Sequence, residues 1–82
     1  MNMKDFTKDK YILFKNTKEG LKFWKDHAVG YTQSFMEAGV YTKEQVEALG
    51  VRKLTIGDVR KNNYSKFIHF ALTLEEAIIG LR

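Results

Sequence analysis

Apolar and polar residues alternate along Lys10–Asn16 (KYILFKN), with Tyr11, Leu13 and Lys15 on one side and Ile12 and Phe14 on the other. A period of two in a run rich in β-branched and aromatic residues predicts a strand. Thr17–Gly20 (TKEG) supplies a turn. Leu21–Lys25 (LKFWK) then alternates again, setting Leu21, Phe23 and Lys25 against Lys22 and Trp24. Two alternating runs around a short Gly-bearing connection predict a hairpin. Asp26–Thr32 (DHAVGYT) follows as a loop, with Gly30 marking a special backbone position.

The pattern then changes to short helical stretches announced by capping boxes. Ser34 with Glu37 predicts a helix of one or two turns, closed by Gly39. Val40-Tyr41 suffices for a bridge or an edge strand. Thr42 with Gln45 starts a helix over Lys43–Leu49, with Val46 and Leu49 as its apolar stripe and Gly50 as its C-cap. Val51–Val59 (VRKLTIGDV) predicts a strand with Leu54 and Ile56 on one face and a turn or bulge at Gly57-Asp58. Arg60–Asn63 is a polar connection. Tyr64–Leu81 carries two periods at once. A strand would set Ile68, Phe70 and Leu72 against Phe67, His69 and Ala71. A helix would align Phe67, Ala71, Leu74, Ile78 and Leu81. A third capping box, Thr73 with Glu76, favours a strand to about Leu72 followed by a helix. Val40–Leu49 and Ala71–Leu81 share an apolar–Thr–x–Glu order, which any capped strand-to-helix junction produces. The expected fold is α+β: a small three- or four-stranded, mostly antiparallel sheet with two or three short helices packed on one face.

The chain has 82 residues and makes one domain over 1–82. Residues 1–9 alternate Lys and Asp around Phe6, as a frayed end or a short docked helix. A chain of this length buries only about 60–65% of its unfolded surface, so its core is thin. Thin cores are supplemented by disulfides, metal or assembly. There is no Cys, and His27 and His69 are too few for a metal site, so no metal or cofactor is expected and a homo-oligomer is. No apolar run reaches membrane-spanning length, and the polar start lacks a signal-peptide stretch. A cytoplasmic protein without membrane contact is the expectation.

No catalytic motif occurs: there is no G-x-S-x-G, Walker A, H-E-x-x-H or C-x-x-C. Ser34 and Ser65 are not linked by motif to either His, and Glu37, Glu44 and Glu76 are explained by helix starts. The expectation is therefore not an enzyme. A net charge of +4 favours anionic partners. The bases gather in two clusters, Lys15, Lys18, Lys22 and Lys25 on the hairpin, and Arg52, Lys53, Arg60, Lys61 and Lys66 around the single acid Asp58. If the sheet joins them, they form a cationic patch edged by Trp24, Tyr31 and Tyr64, where phosphates meet lysines and rings meet aromatics. The candidate partner-binding residues are Lys22, Trp24, Lys25, His27, Tyr31, Arg52, Arg60, Lys61 and Tyr64. Trp24 has three uses open to it: stacking a ring, closing the rim of the core, or forming a subunit interface. Lysines on an edge hairpin also discourage aggregation. His69, between Ile68 and Phe70, reads as a partly buried, hydrogen-bonded histidine.

The order YILFKNTKEGLKFWKDHAVGYTQSFMEAGVYTKEQVEAL, Tyr11–Leu49, runs through a hairpin, a G-Y-T loop, an E-A-G turn and a Y-T-K-E-x-V helix start. It resembles short uncharacterised proteins encoded by phages and prophages of Gram-positive bacteria. The resemblance implies an accessory factor that binds host proteins, host-defence systems or their signals. It carries over no site residues. The function expected is a non-enzymatic binding protein that blocks a host protein or sequesters a nucleotide signal; the alternative is a basic nucleic-acid-binding module.

Overall fold

The alternating run at the start becomes the central strand β1 (Lys10–Thr17), paired antiparallel with β2 (Gly20–Trp24) through Phe14↔Phe23 and Lys15↔Lys22. The computed structural model of the chain describes residues 9–26, 29–61 and 64–80. Expectations for residues 1–8, His27, Asn62, Asn63 and Leu81 lie outside these described residues. A third strand, β3 (Tyr31–Thr32), extends the hairpin through Trp24↔Tyr31. A 3-10 turn (Phe35–Glu37) follows, then β4 (Tyr41–Thr42), helix α1 (Lys43–Leu49), β5 (Arg52–Lys53), α2 (Ile56–Arg60), β6 (His69–Thr73) and α3 (Leu74–Gly80).

The sheet order is β3-β2-β1-β6-β5. β6 lies along one edge of β1, through Leu13↔Ala71 and Lys15↔His69. The other edge is shared: β2 takes its C-terminal half, and β4 pairs its start through Tyr11↔Tyr41. The α+β class holds. The strand number does not, because the described residues contain six strands rather than three or four. The extra ones are two-residue pairings that periodicity cannot register. β5 pairs β6 in parallel, which makes the sheet mixed.

The helices also occupy both faces, not one. On the first face Ile12, Phe14, Phe23, Leu54, Phe70 and Leu72 form the main core with Ala77 of α3, and Ile56 and Val59 of α2 pack against it. The Phe14 and Phe70 rings stack with centroids 4.9 Å apart and planes 1° from parallel. Phe14 is fully buried, so its truncation to Ala removes about 3–5 kcal/mol. On the second face Leu13 and Ala71 pack with Tyr41 and with Val46 of α1. That helix covers only part of its face, because it is seven residues long.

Two local expectations are overturned. Ser34 makes no side-chain cap. Glu37 accepts instead from the Thr32 hydroxyl at 2.9 Å, and Thr32 Oγ1 accepts from the Ser34 N–H. Gly39 does not close a helix. A Cβ there would lie 2.7 Å from the Asp26 backbone nitrogen, so its role is close approach of two backbones, fixed by a 2.8 Å bond from its N–H to the Trp24 carbonyl. The strand expected over Val51–Val59 stops at Lys53. Thr55 and Asp58 form a capping box that turns Ile56–Arg60 into a helix. Reading Val51–Val59 as one strand with a turn or bulge at Gly57-Asp58 missed this T-x-x-D cap. The strand-then-helix order at the C-terminal end is observed, with Glu76 N–H donating to Thr73 Oγ1 at 3.1 Å.

Candidate functional site

The half of the second face left open by α1 carries the candidate site. Alternation puts Lys15 of β1, Lys22 and Trp24 of β2, Tyr31 of β3 and His69 of β6 on this side of the sheet. The register then lines them up: Lys15 is directly opposite both Lys22 and His69, and Trp24 is opposite Tyr31. Four strands thus contribute to one surface.

Trp24 is its hub. The indole is edge-on to Tyr31 at 5.9 Å, to Tyr41 at 6.4 Å and to His69 at 5.0 Å between centroids. Tyr31 and His69 are themselves near parallel, 12° apart with centroids at 6.4 Å, while Oη and Nε2 are 3.5 Å from each other. At that centroid separation the two rings are displaced sideways and do not overlap fully, and Trp24 stands nearly perpendicular to both. Tyr31 is 40% exposed, so this surface meets solvent. The Lys15 ammonium rests 4.3 Å from the Tyr31 ring centroid, a cation–π contact.

Two polar groups of this cluster, the Trp24 indole N–H and the Lys15 ammonium, lack a hydrogen-bonding or ion-pair partner among the described residues. Among the described residues Trp24 Nε1 is buried without a hydrogen-bond partner. A donor so placed costs about 1–3 kcal/mol relative to a paired one. Lys15 has no carboxylate in ion-pair reach among the described residues, and Lys22 has only Glu19 at 3.9 Å, on an exposed turn. Like charges directly opposite each other across a strand pair are destabilising. Burial first, and the Lys15 charge second, push the His69 pKa below its ordinary 6.5, so the imidazole is held toward its neutral form. An anion carrying a flat ring would relieve the lysine pair while covering the rings.

The other candidate residues fall elsewhere. Lys25 lies just past β2, exposed, and its carbonyl accepts from the Tyr41 hydroxyl. His27 lies outside the described residues. Arg52 faces the opposite side of the sheet, in register with Phe70, its guanidinium 5.5 Å from the Phe67 ring. Arg60 and Lys61 are exposed at the end of α2, on that same side. Tyr64 is half-buried in the main core, 5.6 Å from Phe70. Arg52, Arg60 and Lys61 therefore face away from Lys15 and Lys22; Lys53, in register with Ala71, shares the Lys15 side but is paired with Glu47, so the joined patch does not form. Lys15 and His69 complete the site and were not among the candidates. Alternation alone put Lys15 beside Leu13, but its partner in β6 comes from register, which a sequence does not display.

No group of three or more His, Cys, Asp or Glu residues that could hold a metal occurs among the described residues, and no helix among them is long and apolar enough to cross a membrane. No family model, curated protein or solved structure matches the chain.

Proposed function

We propose that this chain is a non-enzymatic binding protein that holds a nucleotide-type ligand, a planar ring joined to phosphate, on the open sheet face. The single observation behind it is the coincidence of the near-parallel Tyr31 and His69 rings with Lys15 and Lys22, two lysines lacking a strong carboxylate partner among the described residues. The ligand's ring stacks on the aromatic surface, and its phosphate takes the two ammonium groups. The resemblance to phage accessory proteins supplies the biological context: sequestering a signal nucleotide in the host cytoplasm. A homo-oligomer belongs to the same proposal, motivated by the thin core. The nucleic-acid alternative is disfavoured, because a polynucleotide wants a continuous cationic track and Arg52, Arg60 and Lys61 face away from Lys15 and Lys22.

Trp24 is the only tryptophan, so its fluorescence reports on this face alone. Titration with mononucleotides and cyclic dinucleotides should quench it saturably. Base–aromatic stacking contributes about 1–3 kcal/mol, so Tyr31→Ala should weaken affinity by about ten- to a hundredfold. Absence of saturable quenching by every nucleotide up to millimolar concentration sinks the reading. Native mass spectrometry on the same sample reads ligand and subunit number together.

A further inference from the structure

On the opposite face, β5, α2 and the turn before β6 enclose a groove of about 250 Å³ lined by Arg52, Lys53, Leu54, Asp58, Lys66 and Phe67. We infer that this groove is a second binding site, for an oxyanion of the phosphate type, distinct from the ring-binding face. Two cations converge on one ring here. The Arg52 guanidinium and the Lys66 ammonium each stand 5.5 Å from the Phe67 centroid. Neither has a carboxylate in ion-pair reach among the described residues; the ion pairs found there are Lys22–Glu19 and Lys53–Glu47. Lys53, tied to Glu47 at 3.2 Å, is the cation of the groove already neutralised.

The one acid, Asp58, is committed to structure. Its Oδ2 accepts from the Thr55 N–H at 2.9 Å and from the Thr55 hydroxyl at 3.0 Å. It is not placed to neutralise Arg52 or Lys66 by contact. A planar guanidinium fork and a second, rotatable ammonium lining the same groove match a tetrahedral dianion better than a monocarboxylate. The volume is below that of a pocket enclosing a drug-sized molecule, about 300 Å³ or more. The groove therefore takes a head group, either free phosphate or the phosphate end of a monoester whose body stays outside.

The test is an amide-shift titration of the full chain by NMR at constant ionic strength, with inorganic phosphate, glycerol phosphate and acetate as separate arms. Saturable shifts confined to residues 52–58 and 64–67 are expected with both phosphates, and weaker ones with acetate. Phosphate binding without glycerol phosphate binding assigns the site to the free ion; comparable binding of both assigns it to the head group. Arg52→Gln should weaken phosphate binding about tenfold. Arg52→Lys should recover only part of that loss, because the charge returns without the fork. Asp58→Asn should tighten binding, since Asn still accepts from Thr55 while the repelling charge is gone. Arg52 is at the surface and Asp58 is in a cap, and the amide spectrum of each of the three variants reports its fold. Shifts that never saturate, that spread over every lysine, or that persist unchanged in Arg52→Gln overturn the inference. None of these outcomes bears on the opposite face, where Trp24 fluorescence gives an independent reading.

Discussion

At the scale of single residues, His69 couples the open face to pH in two opposite directions. Its folded pKa lies below the ordinary 6.5, chiefly through burial and then through Lys15. The charged groups facing it on its own side are Lys15 and Lys22, with the Tyr31 phenol at its tip. Because the unfolded chain takes up this proton more readily, the contribution is intact above about pH 6.5 and is lost as pH falls toward the depressed folded value. Thermal unfolding between pH 7.5 and 5 should therefore show a fall in stability that His69→Gln reduces. An anion held beside His69 raises that pKa again, so binding takes up a proton and should tighten over the same interval. A cyclic phosphodiester nucleotide is the right probe, since its own charge is constant there. Affinity that weakens on acidification would remove His69 from the site. Gly39 acts on the same face from behind. An added Cβ would collide with the backbone of Lys25 and Asp26, where no side chain can swing away. Gly39→Ala should cost about 1–3 kcal/mol in denaturant unfolding, and should shift Trp24 emission because Gly39 N–H holds the Trp24 carbonyl.

Elements differ in how completely local chemistry specifies them. α1 is specified at both ends. Gln45 N–H donates to Thr42 Oγ1 at 3.1 Å, Thr42 N–H donates to Gln45 Oε1 at 2.8 Å, and Gly50 takes φ 70° at the C-cap. Removing the first of these by Thr42→Ala should cost about 1 kcal/mol, measured as a lower denaturant midpoint at unchanged slope. A loss well above that value would mean that β4, which Thr42 also belongs to, unzips from β1 with it. The hairpin and α1 were legible in the sequence because their signals are local: alternation, a turn, a cap box, a glycine. β3 and β5 were not, because two residues carry no period and a parallel pairing depends on a helix elsewhere. α2 was not legible, because the β-branched run Val51–Val59 reads as a strand, while in the fold the Thr55–Asp58 cap box starts a helix at Ile56. Ser34 shows the reverse, since Thr32 reaches Glu37 first. The candidate site divides along the same line. Lys22, Trp24 and Tyr31 were legible from alternation around one hairpin. Lys15 and His69 joined them through a strand pairing more than fifty residues apart in sequence.

At the scale of the whole molecule, the deciding fact is which way each basic cluster faces. Lys15 and Lys22 share one side of the sheet, Arg52 stands on the other at the far edge, and Arg60 and Lys61 follow it. A single strand of nucleic acid lying on the open face meets Lys15, Lys22 and the nearby Lys25, while Lys53, on the same side of the sheet, is already paired with Glu47. For single strands the log–log dependence of affinity on salt falls by about 0.7 for each phosphate neutralised, so three contacts give a slope of about −2. Were both clusters engaged by one continuous strand, eight or more cations would act and the slope would approach about −6. Measuring oligonucleotide affinity between about 50 and 200 mM salt separates the two cases over a range where the difference is large. A shallow slope, together with mononucleotide affinity that changes little when the chain of nucleotides is lengthened, fits a site for one ring and its phosphate. A steep slope, with affinity that climbs with oligonucleotide length, requires the strand to wrap the sheet edge and join both faces, and the protein would then be a nucleic-acid-binding module after all.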